Sequence, residues 1–108
     1  MNDIATLPTM RAVRPLDGYV LEIRFDTGFT TMIELADLVS SGGVFAFLRD
    51  EKNFRSVRLG PRRRSIEWTD PTDGSIVDLD ADTLLQMGQD QSFFKRIARA
   101  LGQPPSPP

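Results

Sequence analysis

Five arginines, Arg55, Arg58, Arg62, Arg63 and Arg64, crowd one short stretch of this chain. Three are consecutive and follow Gly60-Pro61, at the tip of a predicted hairpin. Guanidinium groups bunched on a turn are solvated, and their planar donor forks match phosphate or carboxylate oxygens. No aromatic residue interleaves with them, and the formal net charge is −2. The field of the whole molecule therefore does not favour nucleic acid. The chemistry this cluster offers is capture of a partner's carboxylates; the plainer alternative is a solvated turn.

The acidic counterpart runs from Ser65 to Phe94, where Glu67, Asp70, Asp73, Asp78, Asp80, Asp82 and Asp90 occur without a Lys or Arg. Asp78-x-Asp80-x-Asp82 has the spacing that opens a calcium loop. Such a loop needs Gly at its sixth position and Glu at its twelfth, where this chain has Thr83 and Gln89. The aspartates are better read as turn and helix-capping residues, as is Asp70-Pro71-Thr72-Asp73-Gly74. No metal site is assigned.

What is missing narrows the chemistry further. The chain has no Cys and no His. Thiolate nucleophiles, disulfides, imidazole ligands and serine–histidine triads are excluded. Gly42-Gly43 and Asp73-Gly74 are single turns, without the Lys and Ser of a phosphate loop. The reading is a protein that is not an enzyme, with no cofactor. No apolar run approaches the ~18 residues of a membrane helix, and Met1-Asn2-Asp3-Ile4 lacks the order of a signal peptide. The expected location is the cytoplasm, without membrane contact.

These residues must be positioned by small elements. Length permits one domain. In Tyr19–Phe25 the residues Tyr19, Leu21, Ile23 and Phe25 share one face, the signature of a half-buried strand. Asp26-Thr27-Gly28 forms a hairpin loop with Gly at a left-handed position. Phe29, Thr31, Ile33 and Leu35 then alternate again, so Phe25 and Phe29 face each other. Arg11–Pro15 reads as an edge strand, since Pro cannot donate to a ladder.

Leu35, Leu38 and Val39 sit at helical spacing, and Gly42-Gly43 ends that helix. Asp50 caps a further turn holding Phe54. Val57 and Leu59 resume alternation, and Arg64, Ile66 and Trp68 share a face of the returning strand, with Trp68 in the core. Ile76–Leu79 reads as a short strand or an extended connection, and residues 81–87 as a helix led by Asp80 or Asp82. Ser92 caps a last amphipathic helix over 92–101, with Phe93, Phe94, Ile97, Ala98 and Leu101 on one stripe and Lys95, Arg96 and Arg99 opposite. The expected fold is α+β: a small antiparallel sheet built from hairpins, short helices packed on it, and an extra C-terminal helix. Residues 1–9 form a flexible leader, 10–102 the domain, and 103–108 a disordered Pro-rich tail.

Four pieces in order now resemble a known bacterial family. They are Val13-Arg14-Pro15 with Leu21–Gly28, then Gly42–Asp50 with Phe54, then Ile66-Glu67-Trp68, then Val77–Leu84. Together they resemble the domain-of-unknown-function family numbered 2442, over a core of about 10–87. The chain departs from it in having Ala81 where a proline is frequent, Leu85 where a tyrosine is frequent, and a longer link over 69–76. The resemblance implies a small α+β fold and no established activity. It also implies an antitoxin-like role, because similar domains are often encoded beside a second small protein in an arrangement like a toxin–antitoxin pair.

The combined expectation is an interaction module that binds another small protein, the neighbour-encoded toxin-like protein in particular. Its expected contacts are Arg62, Arg63 and Arg64, with Phe94 and Arg99 on the last helix. Two alternatives stand beside it: a DNA-binding autoregulator, for which the chain shows no two-helix reading unit, and a small-ligand-binding protein. Monomer and homodimer are both compatible with the sequence.

Overall fold

Period-two alternation in Val20–Phe25 and Thr30–Glu34 produces the central hairpin, strands β2 and β3, with Leu21, Ile23, Phe25, Thr31 and Ile33 buried on one face. The computed structural model describes the backbone of residues 8–100 and the side chains of residues 8–91. The hairpin closes through Gly28, whose φ of 97° is open to glycine without strain. Phe25 and Phe29 stack across the loop with ring centroids 6.0 Å apart. Strand β1, Met10–Leu16, pairs antiparallel with β2 and carries Pro15 on an edge strand, as expected. The register shifts between Met10 and Ala12, leaving Arg11 unpaired in the ladder.

Tyr19 departs from the expected strand. It takes φ 59° and completes the turn before β2. Its ring then meets Phe54 edge-on at 5.3 Å, and its hydroxyl donates to the Arg49 carbonyl.

Helix α1, Ala36–Ser41, ends at Gly42, and a 3-10 segment follows over Gly43–Arg49. Asp50 caps the single turn α2, Glu51–Phe54, its carboxylate accepting from the Lys52 N–H. Strand β4 is only Arg58–Leu59, and Pro61–Arg63 is a tight turn whose backbone is not helical at Arg62. Strands β5, Ser65–Thr69, and β6, Ile76–Asp80, complete the strand set.

The strands do not form one sheet. They form two antiparallel three-stranded sheets, ordered β1-β2-β3 and β4-β5-β6. The helical segment between β3 and β4 interrupts the ladder, so the second half starts its own. One core nevertheless joins both, from Met10, Leu21 and Ile33 to Ile66, Trp68 and Leu84. Trp68 is fully buried, and its indole N–H donates to the Phe54 carbonyl at 3.0 Å. That bond satisfies the one polar atom a buried tryptophan brings.

Helix α3 runs without interruption over Ala81–Ala100. The two expected helices are thus one, and Ser92 lies inside it rather than at a cap. Gly88, which on propensity alone weakens a helix by about 1 kcal/mol, is there because of packing. A Cβ on Gly88 would lie 2.7 Å from Cγ2 and 2.9 Å from Oγ1 of Thr31 on β3. One turn on, the Gln91 carboxamide accepts from the Glu34 N–H at 2.9 Å and donates to the Glu34 carbonyl at 3.3 Å. The helix is thereby bound to the rim of the first sheet. None of the helices among the described residues is long and apolar enough to cross a membrane.

Candidate interaction surface

The β4–β5 connection places the arginine cluster where the sequence expects it, at a hairpin tip. It does not leave the three guanidinium groups equivalent. Arg63 reaches the other sheet: its Nη1 lies 2.8 and 2.9 Å from the two carboxylate oxygens of Asp26 and 3.1 Å from the Met10 carbonyl. Asp26 also accepts from the Thr9 hydroxyl, donates its backbone N–H to the Thr9 carbonyl, and has the Arg11 Nε at 3.7 Å. Thr9, assigned by sequence to the leader, is therefore tied into the domain; residues 1–7 lie outside the described residues. The Thr9 hydroxyl first, and then Arg63, hold the Asp26 carboxyl below its ordinary value.

Arg64 is half-buried. Its Nε is shut off from solvent without a hydrogen-bond partner among the described residues. Arg62 is exposed and makes no ion pair or side-chain hydrogen bond among the described residues. Both Arg62 and Arg63 have φ of 57°, a left-handed conformation that non-glycine residues adopt only at a cost. The tip is thus a strained turn, fastened by Arg63 and projecting Arg62.

The charge blocks seen in the sequence are not separate in space. Arg55 pairs with Asp17 at 2.5 Å and with Glu51 at 3.2 Å. Arg58 pairs with Glu67 at 2.9 Å. Asp80 caps α3 by accepting from the Thr83 N–H at 2.8 Å. That bond first, and then the Thr83 hydroxyl, hold its carboxyl low against the opposing effect of burial, with the Arg64 charge a lesser help. Asp70 and Asp73 accept from Thr72 and Ser75, as turn residues do. The Ser75 bonds likewise lower the Asp73 carboxyl. Among the described residues no group of three or more acidic side chains is arranged to hold a metal ion.

Beyond the tip, an open trough of about 470 Å³ lies on the outer face of β1 and β2, lined by Ala12, Val13, Arg14, Glu22 and Arg24. An Arg14–Glu22 ion pair at 2.9 Å spans it. Phe94 and Arg99 lie outside the residues whose side chains are described; their backbone belongs to α3. Sequence reasoning missed the contributions of Thr9, Arg11 and Asp26. Asp26 had only the look of a turn residue.

The chain matches the family described as "Protein of unknown function (DUF2442)" over residues 10–89. It belongs to the DUF2442 family. Both sheets, the tip and the first half of α3 fall within the DUF2442 match. No curated protein matches this DUF2442 chain. Among solved structures it is similar to one described as that of a "Putative DNA Binding Protein" from Nitrosomonas europaea, with a TM-score of 0.64 and 20% identity. The similarity covers 89% of this chain and 62% of that one, so the DUF2442 chain spans less than two thirds of the other's length. At that identity the likeness speaks for the fold alone.

Proposed function

We propose that this protein is a cytoplasmic, non-enzymatic interaction module that docks another small protein through the tip at residues 61–64. In this reading it is the antitoxin-like member of a pair encoded side by side. The observation that carries it is the strained pair Arg62 and Arg63. Strain of this kind concentrates at functional positions when surrounding contacts hold it in place, and here Arg63 grips Asp26 while Arg62 faces solvent. Because Arg63 fastens the turn that carries Arg62, the backbone there loses less conformational freedom when the Arg62 guanidinium meets a partner carboxylate. The absence of His and Cys, with no activated nucleophile among the described side chains, supports docking over catalysis.

Co-purification of the tagged chain with the product of the adjacent gene tests this. Arg62→Glu is expected to weaken the complex at least tenfold with the fold intact. Unchanged affinity removes the tip from the interface.

The second reading, binding to DNA, is favoured by the description of the similar Nitrosomonas protein. Against it, the outer face of the first sheet offsets Arg14 and Arg24 with Glu22 and Glu34. A gel-shift titration at low salt decides the matter, since phosphate binding weakens steeply with added salt.

A further inference from the structure

Among the described residues the β6 rim of the second sheet is unpaired, and it carries acidic side chains. In antiparallel ladders, residues alternate between pairs that exchange hydrogen bonds and pairs that do not. The bonds from the Asp70 N–H to Ser75 and from the Ala81 N–H to Arg64, each 2.8 Å, fix that alternation at both ends of the β5–β6 ladder. Val77 and Leu79 therefore direct their backbone groups at β5, while Ile76, Asp78 and Asp80 direct theirs outward. The other side of β5 agrees: Gly60 donates to the Ser65 carbonyl, so Ser65 and Glu67 face β4. β6 is the last strand of its sheet, and the side chains of Ile76, Asp78 and Asp80 are exposed.

Asp78 stands directly opposite Glu67, in a pair that exchanges no hydrogen bonds. Such pairs hold their side chains close, and like charges there repel. Glu67 already has its cation in Arg58, at 2.9 Å. Asp78 has no cation among the described residues. The same arrangement disfavours a second copy of this chain: a two-fold β6–β6 contact centred on Asp78 would set Asp78 against Asp78. An added strand with a cation opposite Asp78 would instead relieve the repulsion.

We infer that the β6 edge is a strand-addition site for an extended basic segment of a partner protein, with cations opposite Asp78 and Asp80 and an aliphatic residue opposite Ile76. Main-chain bonds to Ile76 and Asp78 supply the attachment, and the two carboxylates select the sign of charge. This surface does not use Arg62, so it stands or falls separately from the arginine tip.

The test uses the full chain and a blocked peptide, acetyl-Lys-Thr-Lys-Thr-Val-amide, which in antiparallel register sets its lysines against Asp80 and Asp78. Binding is followed by NMR up to about 5 mM peptide, the range of weak strand pairing. Slowed exchange of the Ile76 and Asp78 amides is expected on titration. Methylating the peptide nitrogen of the second lysine should abolish binding. Asp78→Asn should weaken it about threefold at low salt, as for an exposed ion pair. The variant Asp78→Lys, which leaves the Asp80 cap of α3 in place, should prefer the Lys-Thr-Glu-Thr-Val analogue. No binding, equal binding of the methylated peptide, or an unchanged charge preference overturns the proposal. So does self-association of the unmodified chain that protects the same amides, because the occupant is then a second copy.

Discussion

Arg63 holds Asp26 across the two sheets, one guanidinium nitrogen lying 2.8 and 2.9 Å from both oxygens of the carboxylate. The same nitrogen reaches the Met10 carbonyl, so one side chain joins the β4–β5 connection, the β2–β3 loop and the start of β1. An arginine that reads as a surface contact is a structural clasp.

The neighbouring arginines should therefore respond in opposite directions. Arg62→Gly relieves a left-handed non-glycine residue and is expected to raise stability by about 1 kcal/mol, while weakening partner binding. Arg63→Ala should lower the midpoint of unfolding and loosen the amides of Asp26 and Met10. Denaturant titration with amide exchange reads both. Equal effects of the two substitutions would sink the division of roles.

Gly88→Ala should be destabilising, by about 1–3 kcal/mol, although alanine is the better helix former. The added methyl would sit 2.7 Å from the Thr31 side chain. Thr31→Ala in the same chain should recover much of the loss, a non-additivity expected of residues in contact. Additive effects in that cycle would show that the contact is not what forbids the methyl.

Gln91→Leu removes both bonds to the Glu34 backbone and should cost about 1 kcal/mol. Its sharper readout is local: the Glu34 amide should exchange faster while the Ile23 amide, deep in the same sheet, is unaffected.

Acid should act through three aspartates. Asp26, Asp73 and Asp80 are each held below the ordinary value of 3.8. A lowered folded-state value means the unfolded chain takes up protons first as pH falls. The stabilisation is thus complete above about pH 4 and is lost as the pH drops through the lowered values. Thermal unfolding followed from pH 6 to about pH 2.5 should show the midpoint fall only in the lower part of that range, less steeply in Asp26→Asn.

Trp68→Phe leaves the ring stacking with Phe54 but deletes the indole bond to its carbonyl. A loss of about 2 kcal/mol is expected. Because Trp68 is the only tryptophan and is buried, its emission in the parent chain should shift to the red on unfolding.

Much of the fold could be read from local order. Leu21, Ile23 and Phe25 alternate because one face of β2 is covered, and Gly28, Gly42 and Asp50 mark turns and caps through their own backbone chemistry. The division into two sheets could not, since alternation identifies a strand and not its neighbours. The helix expected over 81–87 stops short of Gly88, and the reason a glycine stands there, Thr31, lies on a distant strand. The clasp was hidden for the same cause: Arg63 and Asp26 are 37 positions apart, and nothing in either neighbourhood names the other. The arginine tip was legible as a place, and only the backbone angles and partners distinguish Arg62 from Arg63.

The carboxamide of Gln91 gives Glu34 the pair of bonds that a fourth strand would have given it. One rim of the molecule is consequently stoppered by its own helix at the level of Glu34, whereas among the described residues the rim at β6 is not. Growth of copies from β6 rim to β3 rim meets the Gln91 plug, and pairing of β6 with β6 meets like charge, so neither of these two routes favours fibres of the protein.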